Sequence, residues 1–188
     1  MKNTFSKEIK DNLLKLLYTD EQKLIEELKK HSAQRKEYPE QGEEYFKYAW
    51  KPRGCEGKSY YVSNYGHVML TDEIFNKEKI SKEYLDKNKQ KYWEVKTYNG
   101  YLTKEGLPEN WNIALYTDVY LFVAEAFKEE FSEELNKLKY KFKNERLELH
   151  HINNNPDDNN LSNLIYLPKS IHAYAHKYID EKFYNKES

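Results

Sequence analysis

The chain has 188 residues, room for one domain or one domain plus a small appendage at the usual ~100–200 residues per domain. Only 38% of residues are hydrophobic and 34% are charged, but 18 tyrosines within a 15% aromatic share supply bulk to bury; that excludes a collagen-like or low-complexity polymer and argues against wholesale disorder. The formal net charge is −1, so the chain does not coat nucleic acid by charge alone, and any such contact must come from a locally basic face or a metal.

In chain order, Met1–Glu8 has neither the apolar stretch nor the small-residue cleavage site of a signal peptide. No run anywhere approaches the ~20 apolar residues of a membrane helix, and a lone Cys55 excludes an internal disulfide and a cysteine-based zinc cage. The expectation is a soluble, cytoplasmic protein that does not engage a membrane. Residues 1–45 read as a helical extension. Ile9, Leu13, Leu16 and Leu17 repeat at helical spacing, as do Leu24, Ile25 and Leu28. Thr19-Asp20-Glu21-Gln22 resembles a capping box between the two helices, with Thr19 as the cap. Each apolar face is short, so the pair packs either on the rest of the chain or on a second copy or partner protein. His31, alone on this segment, is read as a surface histidine.

Residues 46–116 read as a β-rich module. Tyr60-Tyr61-Val62 and His67-Val68-Met69-Leu70 flank the turn residues Ser63-Asn64-Tyr65-Gly66. A polar helix is expected over about 72–90, then a strand from Tyr92 to Thr97. Asn99-Gly100 is a strong hairpin signal, and Trp111–Tyr116 would add strand. His67 is read as structural or as a phosphate contact.

Residues 117–188 form the third block. Thr117 would cap a helix through the apolar stretch Val119–Phe131. Lys137-Leu138-Lys139-Tyr140-Lys141-Phe142-Lys143 alternates like a strand, placing Lys137, Lys139, Lys141 and Lys143 on one side. That pattern serves equally as a solvated edge guarded by lysines or as a stripe for a phosphate backbone. Leu147–Ile152 is a short strand, Asn153–Asn160 a loop, Leu164–Leu167 a second strand, and Ile171–Phe183 a helix capped by Ser170 after Pro168.

Four of the six histidines lie in that last unit: His150, His151, His172 and His176. On a helix, His172 and His176 share a face about 5–6 Å apart at Cβ, a spacing suited to one metal. A hairpin packed on the helix could deliver His150 as a third ligand. His150 and His151 are neighbours on a strand and point to opposite sides, so one can bind metal while the other takes a proton from water. Three ligands and an open position make a catalytic rather than a structural metal site.

Residues 147–176 resemble the HNH (His-Me finger, ββα-metal) nuclease motif of phage-type homing endonucleases and their relatives. Trp50–Gly57 followed by Tyr61–Val68 resembles the NUMOD-type module that precedes such motifs, and Val123-Ala124-Glu125-Ala126-Phe127 resembles a helix found just before them. The resemblance implies an α+β chain: a helical extension, a small antiparallel hairpin module, and a ββα-metal unit at about 147–183. It implies that His151 is the general base, that Asn163 pins the loop orienting it, and that His150 and His172 are metal ligands, with His176 added as in colicin-type members. One divalent metal (Mg, Mn, Zn or Ni) would assist hydrolysis of double-stranded DNA to 5′-phosphate and 3′-hydroxyl ends, in a bacterial cytoplasm or for a phage. Arg53, Lys58 and Asn64 of the module would touch DNA. The chain departs from the pattern at Tyr120 and Leu121, where relatives carry a basic or His-Arg pair, and in a loop after His151 that lacks glycine. The alternative reading is a catalytically silent DNA-binding or regulatory protein that keeps the metal as a folding staple.

Overall fold

The computed structural model describes residues 5–34, 42–49, 58–72, 74–75, 77–87, 92–109 and 118–184. In chain order the elements are α1 (Phe5–Thr19), α2 (Glu21–Gln34), β1 (Tyr45–Tyr48), β2 (Ser59–Ser63), β3 (Val68–Thr71), β4 (Ile80–Ser81), α3 (Lys82–Lys87) and β5 (Tyr92–Val95). They continue with β6 (Thr97–Tyr98), β7 (Tyr101–Leu102), α4 (Val119–Ala126), α5 (Ser132–Lys141), β8 (Leu147–His151), β9 (Leu164–Pro168) and α6 (Lys169–Tyr184). The fold is α+β, with helices and small antiparallel sheets. Among the described residues no helix is long and apolar enough to cross a membrane.

Two compact units divide the chain: residues 1–39, 131–155 and 162–188 make one, and residues 40–130 with 156–161 make the other. This division cuts across the three blocks of the sequence, because the helical extension and the histidine-bearing segment share a core. Leu13, Leu16 and Leu17 of α1 and Leu24 and Leu28 of α2 are buried with Leu138, Ile152, Ile165, Leu167, Ile171 and Ala175. Each such leucine contributes roughly 1.5–3 kcal/mol on burial, and neither the short hairpin nor the first two helices could bury its apolar face alone.

Two local expectations in this unit are corrected. Asp20, not Thr19, caps α2: its Oδ1 accepts the Lys23 N–H at 3.0 Å, while the Thr19 hydroxyl donates back to the Lys15 carbonyl at 3.0 Å. Thr19 is still inside α1, so its hydroxyl reaches the preceding turn. Residues 137–143 form no strand, since α5 runs through Lys141. The alternation there spans too few residues to outweigh the longer spacing of the buried positions Phe131, Glu134 and Leu138, which is helical. A helix turns about 200° in two residues, so the four lysines do not share a side.

The second unit is built on an antiparallel sheet in the order β4-β1-β2-β3-β5. The β2–β3 hairpin pairs Tyr61 with Met69 and Val62 with Val68, as the flanking turn residues suggest. Phe46, Tyr61, Met69, Ile80 and Leu85 form a core on one face. Tyr60 stacks on Phe122 of α4 at 5.5 Å. Every residue of β2 and β3 is buried. Of the polar helix expected over 72–90, the described helical part is α3; Ile80 instead pairs with Phe46 as an edge strand and is buried, and residues 73, 76 and 88–90 lie outside the described residues. Asn99 and Gly100 have φ of 51° and 80°, the geometry of the tight β6–β7 turn their sequence promised. Asp118 occupies the cap position of α4; Thr117, Trp111–Tyr116 and Trp50–Gly57 lie outside the described residues.

Residues 156–161, the far part of the loop between β8 and β9, belong to this second unit. The Asp157 carboxylate accepts the Gly100 N–H at 2.8 Å, and the Leu161 N–H donates to the Asn64 carbonyl at 3.0 Å. Gly66, at φ 86°, lies so close that a Cβ would come within 2.5 Å of the Asn159 Cβ.

Candidate metal centre

β8 and β9 pair antiparallel, with His150 opposite Ile165 and His151 opposite Leu164. α6 follows β9 directly. Its first turn is held by Glu145, whose Oε2 accepts both the N–H (3.1 Å) and the hydroxyl (2.6 Å) of Ser170. Ser170 is therefore the capped residue, not the cap, and the acidic group favours the positive end of the helix.

Strand alternation turns His150 inward, where it is 1% exposed, and puts half-buried His151 on the opposite face. The helical repeat brings His172 and His176 over the same spot as His150. The His150 ring centroid lies 5.1 Å from each of the other two, which are 4.6 Å apart. One ring nitrogen from each of the three lies within 4.8 Å of the others, and the Nε2 atoms of His172 and His176 are 3.1 Å apart. A tetrahedral cation with nitrogens at 2.0–2.1 Å would hold them about 3.3–3.4 Å apart, so the His172–His176 pair is near that spacing and His150 would have to move closer or the rings turn.

Glu148 completes the arrangement. Its Oε2 accepts a hydrogen bond from His172 Nδ1 at 2.8 Å, which directs the Nε2 lone pair of that ring at the cluster. Arg146 lies 3.8 Å from the other carboxylate oxygen. Both ring nitrogens of His150 are buried with no hydrogen-bond partner among the described residues, an arrangement that costs about 1–3 kcal/mol unless a ligand satisfies them. Burial, reinforced by His172, His176 and His151, holds the His150 imidazole well below its ordinary range. It is thus neutral at physiological pH, the form a metal requires. An orphaned buried imidazole, two more rings converging on it and a carboxylate behind one of them all fit a metal ion.

Asn163 is fully buried beneath the turn that follows His151. Its carbonyl oxygen atoms serve two purposes: the side-chain Oδ1 accepts the Asn153 N–H at 3.1 Å, and the backbone O accepts the Ile152 N–H at 2.8 Å. Its Nδ2 donates to Asn153 Oδ1 at 2.9 Å. Asn154 takes φ 54° in place of a glycine and donates its N–H to the His151 carbonyl at 2.9 Å.

The residues expected to touch DNA fall in both units. Arg53 lies outside the described residues. Lys58 is paired with Asp72, and Lys137 with Glu133. Lys141 caps the end of α1 through the Leu17 carbonyl at 2.7 Å. Lys139 is exposed, and the Lys143 ammonium lies 5.0 Å from the Tyr140 ring centroid. The Asn64 side chain accepts the Tyr45 N–H at 2.9 Å and donates to the Glu43 carbonyl at 3.3 Å, so it braces the start of β1. His67 pairs with Glu44 at 2.7 Å, and His31 lies 3.7 Å from Glu27. Glu148 escaped the sequence reading, although its position two residues before His150 puts both on one strand face. Compared with known protein families, with curated proteins and with solved structures, the chain matches none of them.

Proposed function

We propose that the protein is a divalent-metal-dependent endonuclease of the HNH type that hydrolyses DNA phosphodiester bonds. One observation carries the reading: three imidazoles converge within ligand distance while the adjacent histidine of the same strand is turned to the other face. His150, His172 and His176 would hold the ion. A bound divalent cation would supply Lewis-acid stabilisation of charge on the scissile phosphate and the departing 3′ oxygen. His151 then accepts the proton of the attacking water, a role worth ~10²–10⁴-fold. Asn163 acts through the backbone, fixing the turn at 152–154 and so the direction of the His151 ring. Glu148 keeps His172 in the tautomer whose Nε2 faces the ion.

The test is conversion of supercoiled plasmid to nicked or linear forms across Mg²⁺, Mn²⁺, Ni²⁺ and Zn²⁺, beside His151→Ala. Cleavage should need a metal and fall by at least ~10²-fold in the variant, with metal binding unchanged. Equal cutting by both proteins removes His151 as the base.

A second reading is favoured by the complete burial of His150: a DNA-binding or regulatory protein in which the ion staples the fold. It predicts a large rise in melting temperature on metal addition and no turnover with any metal.

A further inference from the structure

The second unit carries a cleft of about 600 Å³ lined by Glu43, Tyr45, Asn64, Lys77, Lys79, Ser81 and Tyr84. Two exposed lysines enter it two residues apart, each laid over a tyrosine. The Lys77 ammonium is 3.7 Å from the Tyr84 ring centroid, and that of Lys79 is 4.4 Å from the Tyr45 ring. Among the described residues neither lysine forms an ion pair. The rings restrict both flexible stems, so part of the entropy of placing the charges is already lost before anything binds.

Two of the polar lining groups are engaged within the fold. Asn64 uses both ends of its amide on the backbone of Tyr45 and Glu43, and Ser81 Oγ accepts the Tyr84 N–H at 3.1 Å. The two ammoniums are the cationic groups among the lining residues. Lysine ammoniums suit phosphate as point charges, and successive phosphates of one strand advance only ~3.4 Å along the duplex axis.

We propose that the Lys77–Lys79 cleft seats two neighbouring phosphates of a DNA duplex, positioning it without regard to sequence. The proposal deepens the nuclease reading by naming a second place where substrate is held, and it rests on that reading for the choice of DNA over other polyanions. Glu43, on the cleft wall, opposes the seat and weakens it.

The experiment is fluorescence anisotropy of a labelled mixed-sequence duplex over a salt series in EDTA, where no cutting occurs. Lys77→Gln/Lys79→Gln should lower the slope of log affinity against log salt by about 2 and weaken binding by ~10-fold or more near 100 mM salt. Lys77→Arg/Lys79→Arg should retain the wild-type slope, and Glu43→Gln should bind more tightly. The proposal is overturned if the glutamine variant keeps the wild-type slope, if the arginine variant loses as much as the glutamine one, or if the wild-type chain does not bind the duplex at low salt. Displacement of the duplex by polyglutamate as readily as by unlabelled duplex also overturns it, in favour of an acidic peptide. The two readings fail separately. A chain that binds through these lysines and never cuts keeps the seat and loses the nuclease, whereas a chain that cuts with an unaltered slope in the glutamine variant does the reverse.

Discussion

Glu148 Oε2 lies 2.8 Å from His172 Nδ1, a link between β8 and α6 made by a carboxylate two residues ahead of His150. Because the hydrogen bond fixes which nitrogen carries the proton, it also fixes which one can face a cation. Glu148→Gln should therefore lower metal affinity by about 10–100-fold, measured by calorimetry, while the circular dichroism spectrum stays unchanged. Retention of full affinity would show that packing alone orients His172.

The donor set bears on which metal the proposed site would favour. The three converging groups are imidazoles, whereas Mg²⁺ prefers oxygen ligands and keeps its waters. Imidazole nitrogen suits zinc, nickel and copper. Titration of metal-stripped protein should give tighter binding and a larger rise in melting temperature with Zn²⁺ or Ni²⁺ than with Mg²⁺. Equal stabilisation by Mg²⁺ would mean that oxygen ligands dominate the site.

Acid should weaken the metal-free fold in a defined window. Burial pushes the folded-state pKa of His150 well below the ordinary 6.5, so above that value the imidazole is neutral whether folded or not. Below it the unfolded chain takes up a proton that the folded chain refuses, and stability falls as pH drops from 6.5 towards the folded pKa. The slope is at most ~1.4 kcal/mol per pH unit for one proton. His31, also depressed by burial against the opposing pull of Glu27, adds a contribution of the same sign. Chemical denaturation in EDTA between pH 7.5 and pH 5 should show the loss, and His150→Leu should flatten part of it. An unchanged slope in that variant would assign the acid sensitivity elsewhere.

The sequence makes the two strands, the last helix and the histidine cluster legible because each rests on a local rule: alternation in β8, the four-residue repeat in α6, asparagines in the loop. The Asn99-Gly100 turn is legible for the same reason, since both residues accept positive φ. Legibility ends where tertiary partners decide. The alternating lysines describe a strand until Leu138 is seen buried among the leucines of α1 and α2. Ile80 reads as part of a polar helix until it pairs with Phe46. Glu145 replaces Ser170 as the cap of α6 from 25 residues away, a relationship no nearby pattern signals.

Asn163 is tested by its removal. Asn163→Ala deletes the acceptor of the buried Asn153 N–H, at about 1–3 kcal/mol, and one of two donors to Asn153 Oδ1, which keeps the Asn155 N–H at 3.0 Å. Thermal melts should show a clear loss of stability. If the residue acts on His151 through this turn, cleavage measured well below the melting temperature should fall more than metal affinity does. A parallel fall in both would indicate general disruption instead.

Lys10 and Glu134 form the last relationship with a measurable consequence. Their charged ends are 3.4 Å apart, with side chains only 15% and 6% exposed, and Glu134 Oε1 also accepts the Tyr166 N–H of β9 at 2.8 Å. The Lys10 ammonium sits 4.4 Å from the Phe131 ring, and burial lowers its pKa against the pull of Glu134. The pair thus joins α1 to the strand opposite the histidine-bearing one. Removing one partner of a buried pair strands the other, typically at 3–5 kcal/mol, whereas replacing both with apolar or neutral groups of similar shape is often close to neutral. Lys10→Met should therefore destabilise the fold by roughly 3 kcal/mol, and Lys10→Met/Glu134→Gln should recover much of that loss, because the glutamine can still accept the Tyr166 N–H. Chemical denaturation of the three proteins decides the matter: a double variant less stable than Lys10→Met would mean that the ion pair itself, rather than the avoidance of a stranded charge, holds α1 in place.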